Sequence, residues 1–424
     1  MTARHLAAMA PVRLDISDLS SVLPPGGLTF VQGCSGESAL LAKGVAAAGD
    51  ALGPMTFTGI FVPGLNKFTY LVNSECRVRT FFMTPELREA GDRVEFLPFC
   101  YADILTYFRH TRIDAALFSV APPDQDGHCS FGPVVDFLAE LWPKIPVRIA
   151  HINPALPRTL GYSGIPFSKL TAYVEGEQPL PGQEEGEADP IARAIASHII
   201  PFVPDGATLQ TGLGKIPGAV LSALSVRRNL RIHSGLIGDG VLDLLKSGAT
   251  ASGSAITAGV AIGSQQLYRA VSSSAFSFQP VSHTHNPAVI GSIDRFIAIN
   301  SAIEVDLFGQ AYSELTPKGL LSGSGGASDF ARGAKAASGL RIVALPSSAG
   351  KGTINRIVPP GAGAGPVSLG RMDLDIVVTE HGAADLRGLG HSARAQALID
   401  IASPAHREDL SKCWDDYARR FSLK

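Results

Sequence analysis

Short apolar runs alternating with helical stretches are the feature that most limits what this chain can fold into. Leu28–Gln32, Thr58–Val62, Ala115–Val120 and Val147–Ile152 lie in the first half; Leu230–His233, Phe296–Asn300, Ile342–Leu345 and Ile376–Thr379 lie in the second. Runs of this kind, bounded by Gly, Pro or polar residues and with little polar alternation, are how strands buried on both faces read. Helical stretches lie between them at Ser38–Ala48, Pro190–His198, Pro217–Ser225 and Ser392–Ala402. The C-terminus reads as a helix with Leu410, Cys413, Trp414, Tyr417 and Phe421 on one face. Strand–helix alternation predicts α/β layers with largely parallel sheets. Ligands of such sheets bind beyond the carboxyl ends of the strands, so chemistry is expected in the loops that follow the apolar runs.

The composition breaks sharply once. Glu175–Pro190 holds six acids, no bases and three prolines, which reads as a solvated linker. It divides the chain into domains at 1–186 and 187–424, and the alternation in both halves suggests an architectural repeat without clear sequence identity between them. Charged residues are 17% of the chain, below the usual ~25%. Glycine supplies 45 of 424 residues, well above the usual ~7%, and it is useful where a ligand must approach backbone amides. A chain this apolar and weakly charged buries enough surface to exclude disorder. Lys+Arg 36 against Asp+Glu 38 gives no global attraction to phosphate backbones, so no nucleic-acid partner is expected.

The five cysteines (Cys34, Cys76, Cys100, Cys129, Cys413) are odd in number and contain no CxxC pair. They read as reduced thiols of a cytoplasmic protein. The first residues are too polar for a signal-peptide core, and no window approaches ~18 uncharged apolar residues, so no membrane span is expected.

Several motifs are missing. No GxSxG nucleophile elbow occurs. Gly350-Lys351-Gly352-Thr353 fails as a P-loop, and Gly212–Gly218 fails as GxGxxG because Pro217 takes the last glycine's place. His283-Thr284-His285 can set two imidazoles on one face of a strand, but without a third ligand nearby they read as loop histidines, and no metal is expected.

Four loops remain as candidates. Pro204–Val220 reads as turn, strand, glycine loop, then helix; Gly212 and Gly214 let amides face a ligand, and Pro217 fits a first helical turn. Ile297–Gln310 places Glu304 in an otherwise apolar segment just past a buried strand, where an unpaired carboxylate is costly and its reactivity is raised by desolvation. A carboxylate can act as nucleophile when its product is an activated acyl species; a buried salt-bridged Glu is the alternative. Ser322–Gly333 contains Gly323, Gly325 and Gly326 before a predicted helix, and their amides suit an oxyanion hole. Val378–Gly388 runs a strand into Glu380, His381 and Gly382; Asp385 and Arg387 there read as a structural pair. Each glycine loop is also what a plain tight turn needs.

In this order the segments resemble the acetyl-CoA hydrolase/transferase family of coenzyme A transferases. The matching stretches are Leu209–Val220, His233–Leu244, Asn300–Gln310, Gly323–Gly333, Gly352–Pro359 and Val378–Gly388, with Pro122–His128 and Asn153–Thr159 in the first half. The resemblance implies the α/β architecture of CoA-transferase family I, two related open domains with the active site between them. It implies Glu304 as the catalytic glutamate, Gly325 and Gly326 as oxyanion donors, and Gly212, Gly214, Gly323, Glu380 and His381 as groups that bind substrate and CoA. It implies acyl-CoA and a short-chain carboxylic acid as partners, coenzyme A as substrate rather than tightly bound cofactor, and a homodimer. The reaction it implies is CoA transfer through an acyl-glutamyl anhydride and a glutamyl-CoA thioester. An acyl-CoA hydrolase using the same Glu is the alternative, and a non-catalytic acyl-CoA-binding protein a second one. The sequence departs from the family's habit at Ala311-Tyr312-Ser313, at Ser324 and Ser328, at His381, and in the Gly-Ala-Gly-Ala-Gly loop within Pro359–Pro366.

Overall fold

The computed structural model describes residues 10–183, 186–316 and 319–423. Its contacts separate into two compact units, Met1–Glu184 with Ile256–Thr284, and Glu185–Ala255 with His285–Lys424. The fold is α/β, as the alternation predicts.

The main sheet of the first unit is made of β1 (Val12–Arg13), β2 (Leu28–Val31), β3 (Thr56–Gly59), β4 (Arg77–Thr80), β5 (Val94–Phe96), β6 (Ala115–Val120), β7 (Val147–Ile152) and β8 (Ala172–Glu175). They form one parallel sheet in the order β1-β8-β7-β6-β2-β3-β4-β5. From β2 the chain steps outward to β5, then re-enters on the other side of β2 at β6. Every residue of β6 is buried, which is why its sequence shows no alternation. The flanking strands β4, β5 and β8 carry exposed Arg77, Glu95 and Glu175, and their sequences gave no apolar run. Helix α1 (Ala39–Ala48) starts where Ser38 Oγ accepts the Leu41 N–H at 3.0 Å; α2 (Tyr101–His110) precedes β6.

The acidic segment departs from its reading as a solvated linker. Leu180 is buried in a cluster with Ala121, Leu156 and Tyr268. Gln178 is pinned on both sides: its N–H donates to Asn153 Oδ1, and its side-chain oxygen accepts from Leu40 N–H. Of the segment's expected features, Glu184 and Glu185 lie outside the described residues. Its end caps the next helix, α3 (Pro190–Ile199), through Asp189 Oδ1, which accepts the Ala192 N–H at 2.9 Å.

The second unit repeats the plan. Its strands β9 (Thr208–Thr211) and β10 (Arg231–Ile237) are followed in sequence by the parallel pair β11 (Ile256–Ala261) and β12 (Phe276–Phe278), which belongs to the first unit. The chain then returns to the second unit with β13 (Phe296–Ser301), β14 (Glu304–Asp306), β15 (Ala311–Tyr312), β16 (Leu340–Ala344), β17 (Ile357–Val358), β18 (Ile376–Thr379) and β19 (Gly382–Asp385). The unit's main strands run β10-β9-β13-β16-β18-β19, parallel except for the final β18–β19 hairpin. From β9 the chain moves one way to β10 and later re-enters on the other side of β9 at β13. The carboxyl ends of β9 and β13 therefore flank a topological switch point. Helices α4 (Lys215–Ala223), α5 (Gly240–Lys246), α6 (Ala327–Ala336), α7 (His391–Asp400) and α8 (Arg407–Phe421) complete the unit.

Two local expectations need correction. On α8 the buried row is Leu410, Trp414 and Ala418, whereas Cys413 and Phe421 are exposed; the packed stripe is one residue per turn and does not reach the last aromatic. His283 lies in a helical turn, Val281–Thr284, not on a strand, because Asn286-Pro287 immediately starts another turn of helix.

Two predictions follow from buried charge. Asp375 grips Arg341 through both carboxylate oxygens, at 2.8 Å to Nε and 2.6 Å to Nη2, with side chains only 10% and 13% exposed. Asp375→Ala is expected to lower the unfolding free energy by about 3 kcal/mol. Asp385→Ala, which breaks the more exposed pair with Arg387, is expected to cost less than about 1 kcal/mol by the same urea titration. In the first unit, burial pushes the carboxyl of Glu37 up to about 7, against hydrogen bonds from Asn66 and Tyr70, and that of Asp136 up to about 8. Unfolded carboxyls titrate near ~4. Between those pH values the native state holds protons that the unfolded state has released, so stability falls as pH rises from ~4 toward ~8. The urea midpoint is expected to drop across this range, and Asp136→Asn to flatten the slope; parallel slopes in the two proteins would refute the assignment.

Candidate active site

The switch point is built by two neighbouring strands. β9 and β13 pair with Thr211 opposite Ile299, and Gln210 Nε2 donates to Asn300 Oδ1 across the gap at 3.3 Å. Beyond β9, Gly212 and Gly214 form the loop into α4; Gly214 has φ +112° and stands at the helix N-cap, a conformation that favours glycine. Pro217 is in the first turn of α4, where its missing N–H costs nothing. The first amides of such a helix have no partner within it and suit an anion.

Beyond β13 the chain makes the β14–β15 hairpin, with Glu304 opposite Tyr312. Its turn is set by Asp306. The Asp306 Oδ1 accepts the N–H groups of Phe308 and Gln310 at 3.0 and 2.9 Å, and Gly309 takes φ +80°. Its Oδ2 accepts Gln310 Nε2 at 2.8 Å, the Tyr312 hydroxyl at 3.2 Å and the Gly361 N–H at 2.9 Å. Asp306 is fully buried. Burial, with Asp306 beside it, pushes the Tyr312 hydroxyl up to about 12.

Glu304 differs from its expectation here. It is half-buried, not sealed in apolar surroundings, so desolvation does not distinguish it; the sealed carboxylate of the segment is Asp306, two residues on and on the same face of the strand. What Glu304 has is an orienting donor: the Ala364 N–H reaches its Oε2 at 2.8 Å. That amide belongs to the Gly-Ala-Gly-Ala-Gly loop, which is strapped down by Gly361 on Asp306. A Cβ on Gly363 would stand 2.3 Å from the Tyr312 ring, and one on Gly365 would stand 2.4 Å from Leu315. Tyr312 and the glycine strap, separate departures in the sequence, are thus one packing unit over Glu304.

Glu380 follows β18 and is tied to the loop after β16. Ser347 donates its N–H to Oε2 at 2.8 Å and its hydroxyl to Oε1 at 2.7 Å, and Ser347 is itself buried. His381 Nε2 lies 3.7 Å from Glu380 Oε1 and the two pair when the imidazole is protonated. Asp385 and Arg387 form the structural pair expected of them, 2.6 Å apart.

The third loop ends at α6. Gly323 is half-buried in the approach, Gly325 takes φ +61°, and Gly326 is the N-cap. The hydrogen bonds found for Glu304 and Glu380 run to Ala364 and Ser347, not to this turn. The residue that touches the turn is His285, which the sequence left as a loop histidine. Asp306, Ser347, the Ala364 amide and His285 are the groups that sequence reasoning missed. Only the glycine strap had a visible sequence signal. Among the described residues no group of three or more His, Cys, Asp or Glu is placed to hold a metal, and no helix is long and apolar enough to cross a membrane.

Residues 263–414 match the family model described as the acetyl-CoA hydrolase/transferase C-terminal domain. The chain is 37% identical over 339 residues to a 4-hydroxybutyrate coenzyme A transferase of Clostridium kluyveri, covering 78% of each protein. It is 34% identical over 337 residues to a butyryl-CoA:acetate CoA-transferase of Anaerostipes caccae, covering 75% of each. Among solved structures, RipA from Yersinia pestis superposes with a TM-score of 0.88 at 28% identity, over 100% of both chains. A 4-hydroxybutyrate CoA-transferase from Porphyromonas gingivalis gives 0.79 at 28% identity, over 96% of this chain and 98% of that one. The chain therefore belongs to the acetyl-CoA hydrolase/transferase family of CoA-transferases.

Proposed function

We propose that the protein transfers coenzyme A between short-chain carboxylic acids, with Glu304 as the carboxylate that carries the acyl group. The observation that carries this reading is the difference among three carboxylates at the strand ends. Asp306 is sealed under five donors, and Glu380 has both oxygens held by Ser347. Glu304 is half-buried and is oriented through one oxygen by a single amide, so it is reachable and aimed.

A Glu304 oxygen attacks the thioester carbonyl; a C–O bond forms, the C–S bond breaks, and CoA leaves as thiolate. The thiolate attacks the glutamyl carbonyl of the anhydride, the first acid departs as carboxylate, and a glutamyl-CoA thioester remains. A second carboxylate then runs the steps in reverse and leaves as its CoA thioester. No water is consumed, and because anhydride and thioester are similarly activated, the thioester energy is retained. Each addition passes through an oxyanion, for which the Gly325–Gly326 turn at the start of α6 supplies amides. The Gly212–Gly214 loop at the start of α4 offers amides to an anionic part of CoA. Gly323, Glu380 and His381 complete the loops around the substrate, Glu380 acting through its hold on Ser347.

Hydrolysis is a second reading, favoured by the partial exposure of Glu304, since water at the anhydride diverts the same intermediate. An acetyl-CoA hydrolase of Candida albicans is 31% identical over 64% of this chain and 54% of that protein.

The test is incubation with butyryl-CoA, with and without acetate, following acyl-CoA exchange and free CoA. Exchange that requires the acceptor is expected; CoA released equally without it identifies a hydrolase instead. Glu304→Gln is expected to reduce exchange by ~10⁴-fold or more, and hydroxylamine added with acyl-CoA is expected to convert the activated Glu304 carboxyl into its hydroxamate, with CoA released. If Glu304→Gln keeps wild-type exchange while Glu380→Gln loses it, the nucleophile has been assigned to the wrong carboxylate.

A further inference from the structure

The space beside the Gly325–Gly326 turn is filled by a buried imidazole. His285 is 3% exposed and packs against Phe330 on the first turn of α6, ring centroids 4.8 Å apart. A Cβ built on Gly326 would lie 2.5 Å from His285 Cδ2 and 2.6 Å from Nε2. A Cβ built on Gly235, in β10, would lie 2.2 Å from Cε1 and 2.3 Å from Nε2. Real Cβ atoms do not approach this closely, so the outer edge of one imidazole occupies the side-chain space of two glycines that are remote from each other in sequence. Burial, followed by the nearby His233, pushes its pKa down to about 3, so the ring is neutral around pH 7. A neutral ring can stand at a helix N-terminus without opposing the dipole.

We propose that His285 is a positioning residue that sets the oxyanion turn, wedged between Gly235 and Gly326 so that the amides at the start of α6 are held in place. The proposal rests on the reading of Gly325 and Gly326 as oxyanion donors. The wedge has two consequences. Removing the ring edge lets the turn relax, and adding a side chain at 235 drives the ring into Gly326. The two changes therefore compensate. His285→Asn keeps a planar polar side chain but lacks the Cε1 and Nε2 atoms that meet position 235, so it makes room for the methyl group of Gly235→Ala.

The experiment is a double-mutant cycle on the full chain, using butyryl-CoA and acetate. His285→Asn and Gly235→Ala are each expected to lower kcat by ~10- to 100-fold, the scale of a weakened oxyanion donor, with KM for acyl-CoA changed less than ~3-fold. The double variant is expected to recover at least ~5-fold in kcat over Gly235→Ala, a coupling that independent sites do not show. Amide hydrogen exchange over residues 324–330 gives a readout that does not depend on activity. It is expected to quicken in His285→Asn and in Gly235→Ala and to slow again in the double variant. Additive kcat losses with unchanged exchange over 324–330 would overturn the proposal. If the wild type shows no exchange of CoA while the amide-exchange cycle still couples, the functional reading fails and the wedge stands.

Discussion

The carboxylate of Asp306 ties together the hairpin and the glycine strap around Glu304. It is fully buried and collects donors from the hairpin turn, from the Gln310 and Tyr312 side chains, and from Gly361 far along the chain. A buried carboxylate without such partners is costly, and losing any one donor leaves the others around a charge no longer fully satisfied. The same set of bonds fixes the register of β14 against β15, closes the glycine strap, and brings the Ala364 amide onto Glu304. Aim at Glu304 is thus a by-product of satisfying its neighbour two residues away.

Glycine does its work here as unfilled side-chain space. At Gly363 and Gly365 the strap approaches Tyr312 and Leu315 closer than any Cβ permits, and at Gly235 and Gly326 the missing side chains make room for His285. Left-handed backbone explains other positions, such as Gly214 and Gly325, where the chain turns from strand to helix. The glycine excess is therefore two requirements added together: loops that bend at the strand ends, and backbone that large side chains may press against.

Strands sealed on both faces were legible in the sequence. Ala115–Val120, Val147–Ile152 and Ile376–Thr379 lie where their apolar runs place them, since burial of both faces leaves no polar alternation. Thr58–Val62 was misread because an apolar run reports burial rather than strand: Ile60 and Phe61 are buried in the loop after β3. Flanking strands such as β4 and β5 were invisible, because each is short and carries an exposed charged residue, Arg77 in β4 and Glu95 in β5. The order of the candidate loops along the chain was readable, and so were the glycines at the strand ends. Which carboxylate of the Glu304–Asp306 pair is sealed was not, for that depends on Gly361 and Ala364. The position of His285 was hidden for the same reason: its partners Gly235 and Gly326 come together only once β10 and α6 are assembled.

The arrangement bears on how a transferase keeps water from its intermediates. Anhydride and thioester are both hydrolysable, so acyl transfer requires that the second carboxylate reach the intermediate before water does. Glu304 is the half-buried residue of a hairpin whose other strand residues are buried, under a strap whose outer residues, Gly361, Ala362 and Gly365, are exposed. The cover over Glu304 is a thin layer of backbone, anchored at Asp306 and packed on Tyr312. Such a layer contributes an amide as well as cover, because the turning run of peptide over Glu304 directs the Ala364 N–H onto its carboxylate. A strap held at one end by the Gly361–Asp306 hydrogen bond and in the middle by packing on Tyr312 keeps the Ala364 amide on the carboxylate. Under the transfer proposed for Glu304, the balance between transfer and hydrolysis would follow from how well the incoming acid excludes water.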